Sequence, residues 1–139
     1  MRVTRRYRFA ASHRLHSPAF SEDGNRDLYG KCSNPYGHGH DYVLDVTAIG
    51  PVDPSSGQVV HVPTLDRLVN EQVLKDFDHR YFNADLAEFK TLVPTSENII
   101  RVIEERLNAR WSDVFPGEWP RLEGIRLRET KRNVFELKS

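Results

Sequence analysis

A single cysteine, Cys32, stands in 139 residues. One thiol excludes an intrachain disulfide and suits a reducing compartment. Net charge is also missing, because 20 basic side chains balance 20 acidic ones. With neither sign in excess, nothing draws the chain as a whole toward nucleic acid or an anionic membrane surface. Long apolar runs are absent: the opening MRVTRRYRFAASH is basic but lacks the hydrophobic stretch of a secretion signal, and no later segment reaches transmembrane length. No glycine-rich nucleotide loop, internal repeat or low-complexity tract is visible. What is left is one domain, residues 1–139, long enough to bury a substantial core. Cytoplasmic residence is the expectation.

Hydrophobic periodicity supplies the elements. If residues 2–13 are extended, Val3, Tyr7, Phe9, Ala11 and His13 share one face, while Thr4, Arg6, Arg8 and Ser12 take the other. Residues 40–49, HDYVLDVTAI, are rich in β-branched and aromatic types. They run into the turn formers GPVDPSSG, which predicts a hairpin into a further strand at QVVHV. From Thr64 the period becomes helical through Leu65, Leu68, Val69 and Val73, ending near Phe77. A second helix is predicted over 96–110, with Thr95 as its N-cap and Glu97 in its first turn. GIRLRE and NVFELK read as two closing strands. The order β, β, β, α, α, β, β predicts an α+β fold, an antiparallel sheet of about four strands with two helices packed on one face. Such a sheet exposes two edges and an open face, which proteins usually cover by pairing or closure.

The chemistry gathers in CSNPYGHGH, residues 32–40. On an extended chain His38 and His40 project to one side with Cβ atoms roughly 7 Å apart, so both rings can reach one ion. Gly39 leaves that approach uncrowded. Pairing the strand with the first would add His13 and leave a fourth position open, as catalytic zinc requires. A polar turn and a hydrogen-bonded core histidine are the bland alternatives. Cys32 lies close enough to stand at the metal's edge without binding it, although a lone cysteine also serves as a small hydrophobe. Asp78 beside His79 can orient an imidazole for proton transfer, or be an ordinary surface pair. Glu129 follows the alternation Ile125, Leu127 onto the apolar face. There it needs donors, from a core arginine or from a ligand with two parallel N–H groups.

Taken together, FAASHRLHS, GKCSNPYGHGHDY, FDHRYFN, PTSENI and RETKRN resemble, in this order, the 6-pyruvoyl-tetrahydropterin synthase family, and the resemblance spans almost the whole chain. It implies zinc on His13, His38 and His40, a catalytic Cys32, a catalytic Asp78–His79 pair and a pterin-anchoring Glu129. Thr95 and Ser96 look like the segment that also touches the pterin. The implied substrate is 7,8-dihydroneopterin triphosphate. The implied assembly, the tunnelling fold, is a homohexamer: trimers joined into barrels and stacked in pairs, with sites between subunits. A branch of the family makes 6-carboxy-tetrahydropterin on the route to queuosine. It typically has three residues between the cysteine and the first histidine, whereas here there are five, SNPYG, as in the pyruvoyl-forming branch. HVPTLDRLV departs from the family pattern, which often has an aspartate two residues before Asp66. A zinc- or pterin-binding module without turnover is the remaining reading. The joint presence of Cys32, Asp78 and His79 argues against it, since binding alone needs none of them.

Overall fold

The alternation in the first thirteen residues becomes strand β1, Arg2–His13, in a computed structural model that describes residues 1–139. Strand β2, His38–Ile49, pairs antiparallel with it from Arg2 opposite Ile49 to His13 opposite His38. Between them lie helix α1, Glu22–Tyr29, and a 3-10 turn, Gly30–Ser33. Periodicity misses α1 because it has no apolar stripe and buries only Asn25. Polar contacts hold it instead. Ser21 caps its N-terminus by accepting from the Gly24 N–H at 3.0 Å, and the Asn25 amide donates to the carbonyls of Ser17, Phe20 and Ser21.

The expected strand at QVVHV does not form; residues 50–61 are turn and irregular structure. The reason is topological. Both edges of β2 are already taken, by β1 on one side and β4 on the other, so a hairpin returning from β2 finds no place in the sheet. Helix α2, Val62–Val69, begins here with Pro63 in its first turn. It runs on through a π-helical turn, Asn70–Leu74, into α3, Lys75–Phe77. Asp66 docks this helix on β1, accepting from the Arg5 guanidinium at 3.0 Å and the Tyr7 hydroxyl at 2.8 Å.

A two-residue strand, β3, Arg80–Tyr81, lies parallel to β1 at Ala11 and Ser12. The short helix α4, Phe82–Asp85, and a 3-10 turn, Ala87–Lys90, lead to α5, Ser96–Val114, capped by Thr95 as predicted. Strands β4, Arg121–Arg128, and β5, Val134–Lys138, complete a sheet of five strands rather than about four, in the order β3-β1-β2-β4-β5. Every pairing is antiparallel except β3 with β1.

The helices cover one face of the sheet. Phe9, Tyr42, Leu44, Val46 and Leu127 meet Leu65, Val73, Ile99, Ile103 and Leu107 in one core. Leu107 is fully buried, so truncation to alanine would cost about 2–5 kcal/mol. Arg106 ties the helical layer together. It donates twice to Glu88, at 2.9 and 3.0 Å, once to Asp76 at 2.7 Å, and lies 5.2 Å from the centre of the Phe77 ring. The other sheet face is open and polar, with Thr4 hydrogen-bonded to Thr47 at 2.7 Å and Arg6 paired to Asp45 at 2.8 Å. No helix is long and apolar enough to cross a membrane.

Candidate metal and catalytic site

The strand register assembles the histidines. His13 and His38 are direct cross-strand partners, His40 lies opposite Ala11, and all three point to the helix side. Their Nε2 atoms converge: His13 to His38 is 3.3 Å and His38 to His40 is 2.8 Å. Ligands at 2.0–2.1 Å on a tetrahedral ion are separated by about 3.3 Å, the spacing of His13 and His38. His13, Cys32 and His38, and likewise His13, His40 and Glu129, bring one donor atom each within 4.8 Å of one another, so the cluster could hold a metal ion. The His13 Nδ1–H donates to the Pro94 carbonyl at 2.8 Å, which leaves the Nε2 lone pair facing its neighbours. Burial lowers the His13 pKa to about 4, and the nearby His38 adds to that, while Pro94 and Glu129 oppose it. Burial, then the adjacent His40, also lowers His38. Both rings are therefore neutral at pH 7, the state in which imidazole is a ligand.

The glycine that matters is Gly37, not Gly39. Gly37 has a φ of +71°, and a Cβ there would stand 3.0 Å from the Tyr81 ring and 3.1 Å from the His13 carbonyl oxygen. It turns the chain into β2 so that His38 lands opposite His13. A Cβ on Gly39 would meet only the Ala11 carbonyl oxygen, at an ordinary 3.6 Å. The expectation that Gly39 keeps the histidines uncrowded is thus corrected: on a strand its side-chain position faces away from theirs.

Cys32, on the 3-10 turn, places its Sγ 3.4 Å from His38 Nε2. Burial, followed by the charge of Glu129, raises its pKa, so in the protein alone it is a thiol. A cation among the imidazoles would act in the opposite sense. Glu129 enters from the far side, just beyond β4, with Oε1 3.6 Å from His40 Nε2. Its other oxygen accepts from the Ser96 hydroxyl. Ser96 is the first residue of α5, so the carboxylate lies against the positive end of that helix. Neither the arginine envisaged as a core partner nor any other cation pairs with Glu129.

Thr95 and Ser96 are both near the site, but their hydroxyls are engaged, Thr95 with the Asn98 N–H at 3.3 Å and Ser96 with Glu129. Asp78 and His79 are paired at 3.1 Å, but the His79 side chain is 81% exposed. Asp78 Oδ1 also accepts from the Ala10 N–H at 2.9 Å, and His79 adopts a left-handed φ of 59° where α3 ends. No hydrogen bond joins the pair to the histidine–cysteine cluster. The topology contributes to this: the pair enters β3, and β1 lies between β3 and β2, so the strand of His38 and His40 is two strand spacings, about 10 Å, from β3, although His40 and His79 line one open cavity.

Periodicity could have added Tyr42, two residues after His40 and on the same face. Its ring is fully buried 5.7 Å from that of His40, and its hydroxyl has no protein partner. The Pro94 carbonyl that orients His13 leaves no signature in the sequence.

The chain as a whole has relatives of known name. The family model described as 6-pyruvoyl tetrahydropterin synthase matches residues 2–139. The 6-pyruvoyl tetrahydrobiopterin synthase of Poecilia reticulata is 36% identical over 132 residues, 95% of this chain and 86% of that protein. The Homo sapiens protein of the same name is 40% identical over 105 residues, 76% of this chain and 72% of that protein. The solved structure of Caenorhabditis elegans 6-pyruvoyl tetrahydropterin synthase superposes with a TM-score of 0.90 at 37% identity, covering 100% of this chain and 95% of that one. The corresponding Plasmodium falciparum structure, at 13% identity and a TM-score of 0.64, shares the fold. Histidines converging across paired strands, a thiol beside them and a matching family model over nearly every residue have one reading in common: the chain belongs to the 6-pyruvoyl tetrahydropterin synthase family of lyase-type enzymes.

Proposed function

We propose that the protein is a zinc-dependent carbon–oxygen lyase that converts 7,8-dihydroneopterin triphosphate to 6-pyruvoyl-tetrahydropterin with loss of triphosphate. The observation that carries this reading is the convergence of three imidazole nitrogens between a thiol on one side and a carboxylate on the other. Glu129, locked by the Ser96 hydroxyl, accepts the adjacent amine and ring N–H donors of the 2-amino-4-oxo pterin. That fixes the ring and delivers its side chain to the histidines. Zinc on His13, His38 and His40 would polarise the side-chain oxygens and ease removal of their protons. Cys32 moves a proton at the substrate's side chain, taking it as thiolate and holding it as thiol. The hydrogens are redistributed within the substrate as triphosphate leaves, so no external hydride carrier is required.

Asp78 and His79 complete the proton path from the face opposite Cys32. Within one chain they stand apart from it, and the assembly into trimeric barrels paired as hexamers, with sites between subunits, is part of the proposal. The sheet supports it, because β3 and β5 end the sheet with unpaired outer edges and one face carries no helix. The five residues between Cys32 and His38 favour the pyruvoyl product over the carboxy product, as do the names of the relatives. Incubation of the purified, zinc-loaded protein with dihydroneopterin triphosphate, followed by mass analysis, tests the assignment. A pyruvoyl product supports it, a carboxy product moves the chain to the queuosine branch, and unconverted but bound substrate makes it a binding module.

A further inference from the structure

His13 is mounted from two sides by groups outside the strand pairing. β3 supports the outer edge of β1 only at Ala11 and Ser12, because the chain turns into α4 at Phe82. Arg14, next along that edge, would be left without a backbone partner. The Asn83 side chain replaces the missing strand: its Oδ1 accepts from the Arg14 N–H at 2.7 Å and its Nδ2 donates to the Arg14 carbonyl at 2.8 Å. An amide offers a donor and an acceptor side by side, as a paired strand does. The Arg14 N–H belongs to the peptide plane that leaves His13, so holding it fixes the backbone of His13 and the direction of its Cβ.

The ring is held from the other direction. The Pro94 carbonyl that accepts its Nδ1–H at 2.8 Å lies in the segment just before α5. Pro94 has no N–H with which to anchor itself, so its neighbours must place it. The Val93 carbonyl accepts from the Asn98 amide and from the Thr95 N–H, both at 2.8 Å, which ties the segment to the first turn of α5 and sets where the Pro94 oxygen stands. With backbone and Nδ1 both fixed, the Nε2 of the fully buried His13 faces His38 before any ion arrives. We propose that Asn83 and Asn98 are positioning residues for His13 as a metal ligand, Asn83 acting on its backbone and Asn98, through Pro94, on its ring. The inference rests on the metal-binding reading of the histidine cluster and is independent of which substrate the protein turns over.

Cobalt titration of the metal-stripped protein, read by the visible absorption of the bound ion, tests it on wild type, Asn83→Ala, Asn83→Asp, Asn98→Ala and Asn25→Ala. Asn25 is the comparison, because its amide bonds Ser17, Phe20 and Ser21 around α1 and should matter for stability alone. Asn83→Ala and Asn98→Ala should each bind cobalt about 10- to 100-fold more weakly than wild type. Asn83→Asp keeps the acceptor for the Arg14 N–H but turns an oxygen on the Arg14 carbonyl, so it should fall between and serves where the alanine variant does not fold. In Asn98→Ala, nitrogen NMR of the metal-free protein should show His13 leaving its single Nδ1–H tautomer. Thermal unfolding of each metal-free protein gives the stability against which affinity is compared. Variants at 83 and 98 that bind cobalt as tightly as wild type, or that lose no more affinity than Asn25→Ala does, would overturn the positioning role. Wild type that takes up no cobalt would overturn the metal reading of the cluster, and this inference with it.

Discussion

Replacing Glu129 by glutamine changes one oxygen to an NH2 group and leaves shape and volume almost untouched, so the outcome reports hydrogen-bond polarity and charge. In the wild type one carboxylate oxygen accepts from the Ser96 hydroxyl, and the other, 3.6 Å from His40 Nε2, accepts no hydrogen bond from the protein. The amide has two orientations. With its oxygen toward Ser96 it keeps that bond and presents NH2 to the N–H donors of the pterin, a donor facing donors. Rotated, it accepts one pterin N–H but turns NH2 on Ser96, whose hydroxyl proton then has no acceptor. Either way the ligand loses the charged acceptor and at least one bond. A hydrogen bond to a charged group is worth about 1.5–3 kcal/mol, and a buried donor left unpaired costs about 1–3 kcal/mol. A net loss of about 2–4 kcal/mol, or roughly 30- to 1000-fold in Kd, follows. Fluorescence titration with a dihydropterin measures it, and zinc content should not change. Ser96→Ala provides the control: it loosens the carboxylate without removing it, and should cost only about 1 kcal/mol. If Glu129→Gln binds pterin within threefold of wild type, the proposed pose of the ring is wrong and Glu129 serves only to hold α5 against the end of β4.

Cys32→Ala should lose product formation while retaining zinc and pterin, as shown by metal analysis alongside a turnover assay, because three imidazoles satisfy the metal without the thiol; zinc lost with the thiol would make Cys32 a ligand. Mutating His38 and His40 together to alanine should abolish zinc binding, and unchanged stoichiometry would refute the ligand set. Arg106→Met should lower stability by about 1–3 kcal/mol at pH 7 in urea unfolding, because it strands Glu88 and Asp76. The hydrogen bond from Arg106 holds the Glu88 carboxyl below its usual range. Glu88 therefore contributes stability above the unfolded carboxylate pKa and loses it as the pH falls through the lower folded value, so the gap between wild type and variant should narrow in acid.

How far the sequence reached can be traced residue by residue. β1, β2 and the long helices were legible because each buries a continuous stripe: Phe9, Ala11 and His13 alternate, and Ile99, Ile103 and Leu107 recur at helical spacing. α1 was not, since it depends on Ser21 and Asn25 rather than on burial. QVVHV misled because strand propensity is local, whereas the edges of β2 are allocated by β4, more than seventy residues downstream. The three histidines could be read from strand register alone. Pro94 and Ser96 could not, for they orient His13 and Glu129 through tertiary contacts across 81 and 33 residues.

The separation of Asp78 and His79 from Cys32 leads to the most discriminating experiment. If each site takes its thiol from one subunit and its Asp–His pair from the next, two inactive proteins should restore each other. Cys32→Ala supplies an intact pair, and His79→Ala supplies an intact thiol. His79 is exposed and Cys32 sits on a surface turn, so neither change disturbs the core. In a cyclic assembly formed by random mixing of equal amounts, a junction is competent only when a His79→Ala subunit gives the thiol and a Cys32→Ala subunit gives the pair. Each condition is met half the time, so about one quarter of the wild-type activity should appear from two parents that have none. Mixing must pass through a dissociated state, and light scattering should show the assembly lost and then recovered. Activity that stays at zero after recovery would place thiol and pair within one chain, and the loop carrying His79 would then have to swing across β1 to reach Cys32.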